Sequence, residues 1–208
     1  LINPKLFSNV TAISSRYRFL TDVGLEESET QLGTTTTQSF QLSYLSQIED
    51  MGIKWDFDYR PSPNHSIKFG SGLTRHQFEP GVNSIVMNLG GAGTLDTSFG
   101  SFPQTAMDYV AYVQDDWKLG DRLRINMGLH LNGFNVGESN YLSLQPRLSA
   151  RYLLNEKSSI KWSYVEMTQY MHLLANQTIG LPTDLWVPVT ENILPQEAWQ
   201  TAIGYAYN

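Results

Sequence analysis

The sequence contains no cysteine, and this absence excludes disulfide frameworks, thiolate metal sites and cysteine nucleophiles. No apolar run approaches the roughly 20 residues of a membrane-spanning helix, so a helical membrane protein is excluded as well. Basic residues are outnumbered, 14 Lys and Arg against 20 Asp and Glu, and this argues against a nucleic-acid partner. With 41% hydrophobic and only 16% charged residues, the chain is expected to fold.

The residues that usually carry chemistry form no known catalytic or metal-binding pattern. Four histidines, His65, His76, His130 and His172, are scattered without HxH or HExxH spacing. The glycine-rich run 90–93 lacks the Lys-Ser/Thr that completes a phosphate-binding loop, and no serine lies in a GxSxG elbow. The sequence therefore predicts a protein that is not an enzyme and that has no metal site and no cofactor.

Apolar and polar residues alternate over most of the chain, most clearly in ranges 53–60, 122–132 and 147–152. In the second range an apolar series alternates with a polar one. The apolar series is Leu123, Ile125, Met127, Leu129 and Leu131, and the polar series includes Arg122, Arg124 and Asn126. A period of two is typical of β-strands with one apolar and one polar face. We expect the Leu and Ile series to face outward and the polar series inward.

Short and long connections alternate between these strands. The turn-forming segments are 61–64, 119–121 and 155–157, and a middle-sized connection spans 135–141. The long segments without a clear strand pattern are 20–38, 80–104 and 171–196. Short turns at one end and long loops at the other are typical of outer-membrane β-barrels, whose periplasmic turns are brief.

The alternation predicts eight antiparallel strands, with ends good to a few residues. They are 6–19, 38–60, 65–79, 105–119, 122–135, 142–154, 157–170 and 197–208. Within 38–60 the apolar residues change from even to odd positions near 50–52, which indicates a β-bulge at Gly52. A hairpin at 50–52 is the competing interpretation.

Strand length and aromatic position favour a barrel wall over a soluble sandwich. Strands of about 12 to 15 residues cross a ~25 Å apolar band, whereas sandwich strands average about 5 or 6. Aromatic residues lie near predicted strand ends, where an interfacial girdle would place them. They are Tyr17, Phe19, Trp55, Tyr59, Trp117, Tyr152, Trp162, Tyr164 and Trp199.

Charged residues occupy the face opposite the apolar series. They are Lys54, Asp56, Asp58, Arg60, Arg122, Arg124, Arg147, Arg151 and Lys161. We interpret them as facing the lumen, filled by water or by a plug domain whose acidic groups could pair with them. The alternative is an ordinary solvated sheet face.

The long segments are expected at the outer mouth. Glycines make 80–104 mobile, whereas Pro182, Pro188 and Pro195 stiffen 171–196. The second segment contains His172 and Trp186, and Tyr170 and Trp199 lie just outside it. Such rings could hold a sugar, a chelate or a peptide. Packing of these rings against the barrel rim is the alternative. The acidic residues Glu26, Glu27 and Glu29 indicate a solvated loop.

Several stretches, in this order, resemble barrel strands of TonB-dependent outer-membrane receptors, especially the Bacteroidetes-type group with a carboxypeptidase-regulatory-like domain. They are Asn3–Asn9, Trp55–Tyr59, His65–Gly70, Tyr109–Lys118 leading to Gly128–Leu129, Leu144–Tyr152, Gly180–Pro188 and Pro195–Gln200. The resemblance extends over nearly the whole chain. The resemblance is specific because all of these stretches occur in the same order. A single stretch would be weak evidence, because aromatic-rich alternation is common to outer-membrane barrels.

The resemblance implies a barrel of about 22 strands closed around an N-terminal plug in the bacterial outer membrane. It implies lipid, the plug and, through a region outside this sequence, the TonB complex as partners, with a surface lipoprotein as a further one. No plug, TonB box or terminal aromatic strand is present, and both ends look cut, so we expect a middle part of one barrel domain, 1–208. The alternatives are a self-contained eight-stranded barrel with a structural or adhesive role and a soluble β-sandwich binding module.

Overall fold

The computed structural model describes residues 4–32, 34–89, 93–100, 103–176 and 183–207. Among these residues, no helix is long and apolar enough to cross a membrane. The strands are β1 (Leu6–Gln31), β2 (Thr34–Ser62), β3 (His65–Asn88), β4 (Thr94–Gly100), β5 (Gln104–Leu119), β6 (Leu123–Val136), β7 (Ser139–Leu153), β8 (Ser158–Gln169), β9 (Met171–Asn176), β10 (Thr183–Pro188) and β11 (Gln196–Tyr207).

The main sheet is antiparallel and curled into part of a barrel, which confirms the predicted fold class. Its order is β1-β2-β3-β5-β6-β7-β8-β11, and β4 pairs with β3. The eight predicted strands are all present, and β4, β9 and β10 lie inside predicted loops. Within the described ranges β1 pairs only with β2 and β11 only with β8, so these residues form neither a closed eight-stranded barrel nor a sandwich.

The two faces of the sheet differ in polarity and in crowding. Leu129 and Leu131 are 43% and 40% exposed on the face we call the outer face. His130 and Asn132, on the opposite face, are half-buried. Side chains converge on the concave side of a curled sheet, so the polar face is the inner one. The expected outward direction of the Leu and Ile series of β6 agrees with this arrangement.

The turns 63–64, 120–122 and 154–157 lie at one end of the sheet, called the turn end, and longer connections lie at the opposite, loop end. The predicted loop 20–38 is wrong, because β1 and β2 pair residue for residue from Leu6–Tyr59 to Gln31–Thr34. Residues 26–31 are polar on both faces, so hydropathy does not show that they form a strand. Glu26, Glu27 and Glu29 are exposed, but on a strand.

The other connections are shorter than predicted as well. Much of 80–104 is strand, because β3 continues to Asn88 and pairs there with β4. Residues 90–92, whose glycines suggested mobility, lie outside the described residues, as do 101–102. The connection predicted over 135–141 is the two-residue turn 137–138.

The predicted bulge at Gly52 is wrong, and so is the competing hairpin. Residues 50–52 pair in register with both β1 and β3. The register shift lies instead between Leu45 and Gln47, where Gly81 of β3 has a φ of 73°. A Cβ at Gly81 would lie 2.8 Å from the Tyr44 ring, so both conformation and space require glycine. The change of apolar residues from even to odd positions has another cause. Towards the loop end, inner-face residues such as Ile48 are apolar because they pack against a buried cluster.

Seven of the nine aromatic residues of the predicted girdle lie on the outer face. Trp55, Tyr59, Trp117, Tyr152, Trp162, Tyr164 and Trp199 share the outer face by register. Tyr17 and Phe19 pair with Ile48 and Ser46 and therefore belong to the inner face. On the outer face, an Arg16–Glu49 ion pair of 2.6 Å lies directly beyond Met51, Ile53 and Trp55 of β2. Charge at this level indicates the loop-end limit of the apolar band.

Candidate functional site

The inner face carries most of the charges that the sequence assigned to it. By register, Lys54, Asp56, Asp58, Arg124, Arg147, Arg151 and Lys161 lie on this face. Arg122 lies in the turn 120–122, and Arg60 lies at the irregular end of β2, where its backbone N–H donates to the Lys5 carbonyl at 2.8 Å. Contact of these charges with a lumen or a plug stays a prediction.

Over β2, β3 and β5 the inner-face charges are locally paired. Tyr112 donates a hydrogen bond to Asp56 at 2.7 Å, across the intervening Gly70. A Cβ at Gly70 would lie 2.9 Å from the Tyr112 ring, so the glycine makes room for this contact. Lys68 Nζ lies 3.4 Å from Asp58 Oδ1. Asp56, Asp58 and Lys68 on this part of the wall therefore each have a partner.

Over β5 to β8 the inner face is basic. Lys118, Arg124, Arg151 and Lys161 are direct cross-strand neighbours in that order, and we call these four residues the basic row. The sequence interpretation missed Lys118, although its even position in β5, shared with Tyr112 and Asp116, was the available signal. Arg124 donates to Asp116 through Nε at 2.5 Å and also through its Nη2 group.

At the loop end, a segment of the chain folds inward over the wall. We call residues 170–176 and 183–195 the inward segment; it contains β9 and β10, and β10 packs against β2 and β3. The cluster beneath it contains Phe78, Ala106, Phe134, Val136, Tyr170 and Val189. This packing explains why the inner face becomes apolar towards the loop end.

Tyr170 anchors the inward segment. Its ring stacks on Phe134 at 5.1 Å between centroids, and its hydroxyl donates to Ser143 Oγ at 2.7 Å. Burial raises the pKa of the Tyr170 phenol, so the group stays protonated and keeps donating. The Val189 N–H donates to the Tyr170 carbonyl at 2.9 Å, and Tyr141 donates to the Thr190 carbonyl at 2.7 Å. Two hydrogen bonds, one from Tyr170 and one from Tyr141, and the stacked ring pair thus hold the segment to the wall, while the Val189 bond joins its two parts.

A buried polar group lies beside this cluster. His76 is 5% exposed, and its Nδ1 lies 2.7 Å from Asp50 and its Nε2 4.0 Å from Asp108. Its ring is also 6.1 Å from the Phe78 and Phe134 rings. Among the described residues, no group of three or more His, Cys, Asp or Glu residues could hold a metal ion. The contacts of His76 with the two rings and with Asp50 make it part of the packing of the mouth.

The predicted ligand residues differ in accessibility. Tyr170 and His172 are buried, at 5% and 6% exposure, so a ligand would reach them only after the inward segment moved. Trp186 is half-buried on β10 and pairs with Leu173 of β9. Trp199 lies on the outer face and is 69% exposed. Ligand binding by these rings stays a prediction.

The fold and the two-sided wall agree with the comparison to known proteins. The family model described as TonB dependent receptor-like, beta-barrel matches residues 4–208. No curated protein matches the chain.

Proposed function

The chain belongs to the TonB-dependent receptor β-barrel family, and from this premise we propose that it forms part of the wall of an outer-membrane receptor that imports a scarce nutrient. The family consists of outer-membrane receptors and transporters and is not an enzyme family. The family match over 4–208 carries the proposal. An apolar outer face and a charged inner face support it, because a barrel that conducts polar solutes needs this distribution.

In this proposal, a plug-like domain of the longer protein lies against the inner face, and a periplasmic contact of that protein couples it to the TonB complex. The locally paired charges over β2, β3 and β5 and the basic row offer different contacts to such a domain. Membrane lipid covers the outer face. A surface lipoprotein is a further partner at the loop end.

We place ligand capture at the loop end. The β3–β4 hairpin extends beyond the pairing of β3 with β5, and the inward segment narrows the space over the inner face. Loops at barrel ends contribute little to wall pairing and much to recognition. A ligand captured here would meet Trp186 first, because Tyr170 and His172 are buried.

The test uses the full-length protein in its own outer membrane. Uptake of labelled candidate chelates, oligosaccharides and peptides is compared in cells with and without TonB, because the proposed import requires that complex. Deleting 84–100, which removes β4 and the end of β3, should reduce uptake while heat-modifiable gel migration stays normal, since β3 still pairs with β2 and β5 through Phe78.

Three results would contradict the proposal. The first is uptake of every candidate ligand at the same rate with and without TonB. The second is unaltered uptake after the 84–100 deletion. The third is cleavage of the wild-type hairpin by protease from the periplasmic side alone, which would place the loop end on the wrong side of the membrane.

A further inference from the structure

The basic row concentrates positive charge on the inner face. Its four cations occupy one line across four neighbouring strands near the turn end. Like charges that lie directly opposite each other in antiparallel strands destabilise the sheet. Asp116, which binds Arg124, is the only carboxylate with a described ion pair to the row. Arg151 and Lys161 form no ion pair within the described ranges.

The surroundings of Arg151 and Lys161 are suited to an anion. Ser149 and Ser163 pair with each other two residues further along and are the next pair on the same face. These four side chains line a cavity of about 540 Å³, which Asn126, the ion-paired Asp116 and Arg124, and the small residues of β11 also border. Hydroxyl and amide groups supply hydrogen-bond donors beside the two cations.

The wall beside Lys161 is open to a ligand. Lys161 pairs with Gly204 and Ser163 with Ala202, so β11 presents no long side chain on this part of the inner face. Nothing lies within 4 Å of the position that a Cβ would take at Gly204. An anionic group could therefore approach both cations from the lumen side without displacing any described residue.

We propose that Arg151 and Lys161, with Ser149 and Ser163, form a binding site for a carboxylate or phosphate group on the inner wall near the turn end. Charge-assisted hydrogen bonds from a guanidinium and an ammonium bind such groups well. This inference rests on the proposed function in one respect, which is that the inner face must line a lumen. The anion would relieve the repulsion along the basic row.

The anionic group has two possible sources. It is either a carboxylate of the plug-like domain of the same longer protein, or a soluble anion, such as an imported solute that carries a carboxylate or phosphate. The two sources make different demands on an experiment. An internal carboxylate occupies the site without addition, whereas a soluble anion binds in proportion to its concentration.

The experiment uses the full-length protein in detergent at low ionic strength, where charge screening is weak. Binding of pyrophosphate and of citrate is measured by calorimetry for wild type and for the R151Q/K161Q variant. The matched control is K54Q/K68Q, which removes two cations from the same face over β2 and β3. Heat-modifiable gel migration verifies that each protein is folded.

For a soluble anion we expect the R151Q/K161Q variant to bind about tenfold or more weakly than wild type, and the control to bind as wild type does. For an internal carboxylate we expect wild type to bind no added anion, and the R151Q/K161Q variant alone to show faster proteolysis of the plug-like domain. The inference is overturned if R151Q/K161Q matches K54Q/K68Q in both measurements. That result would leave the proposed function intact, because uptake that depends on TonB does not require this anion site.

Discussion

The anchoring of the inward segment makes a quantitative prediction for Tyr170→Phe. The substitution keeps the ring on Phe134 and removes the hydroxyl that donates to Ser143 Oγ at 2.7 Å. Ser143 Oγ still accepts from Gln145 at 2.9 Å, so it is not left without a partner. The loss is then that of one neutral hydrogen bond, about 1 kcal/mol, which makes opening of the segment roughly fivefold more frequent.

The assay is hydrogen exchange in the full-length protein, followed over a peptide that contains Val189. Val189 is fully buried in the cluster on the wall and its N–H donates to the Tyr170 carbonyl, so exchange of this N–H requires the segment to open and reports that opening. Tyr170→Ala also removes the stacked ring and should cost about 3 to 5 kcal/mol, an increase of more than about a hundredfold.

The matched control is Tyr164→Phe, because that hydroxyl donates to Glu166 on the outer face, away from the inward segment. Its effect on exchange at Val189 should be absent. The reasoning is refuted if Tyr170→Phe changes exchange at Val189 by less than about twofold, or if Tyr164→Phe raises it as much.

Two further predictions concern the wall itself. Gly70→Val should place its Cβ 2.7 Å from the Trp55 carbonyl oxygen and 2.9 Å from the Tyr112 ring and lower stability by about 1 to 3 kcal/mol in thermal unfolding, whereas Gly204→Ala, with nothing within 4 Å, should leave it unchanged. Leu131→Arg on the outer face should cost about 2 to 4 kcal/mol when the protein folds into vesicles, while Leu20→Arg, on the outer face beyond the Arg16–Glu49 pair and 49% exposed, should cost almost nothing; equal costs would show that the band is misplaced.

The sequence predicts the membrane-crossing part of the fold well, because a single physical constraint acts there. Lipid on one side and polar surroundings on the other force alternation, and Leu129 and His130 show this directly. The eight main strands and three tight turns follow from that pattern. The basic residues of β6 to β8 follow from it as well, since parity assigns them to the inner face.

The loop end is harder to predict because this constraint is absent there. The hairpin of β1 and β2 continues through polar residues that are held by backbone pairing and by hydroxyl contacts such as Ser28–Thr37 at 3.2 Å. The inward segment reverses the polarity of the inner face, so apolar residues such as Ile48 indicate a bulge that β2 does not have at Gly52. Burial of Tyr170 and His172 depends on partners distant in sequence, and no local pattern indicates it.

The uninterrupted pairing of β1 with β2 also affects how this wall assembles. Because Gln31 and Thr34 are close in sequence, closing the hairpin at its tip costs little chain entropy, and each following pair adds to a ladder already formed. Leu6 and Tyr59, at the base, would then pair last and without a long search. The β1–β2 hairpin can therefore present a preformed edge of β2 to β3. Proline inserted near the tip should slow assembly more than proline inserted near the base.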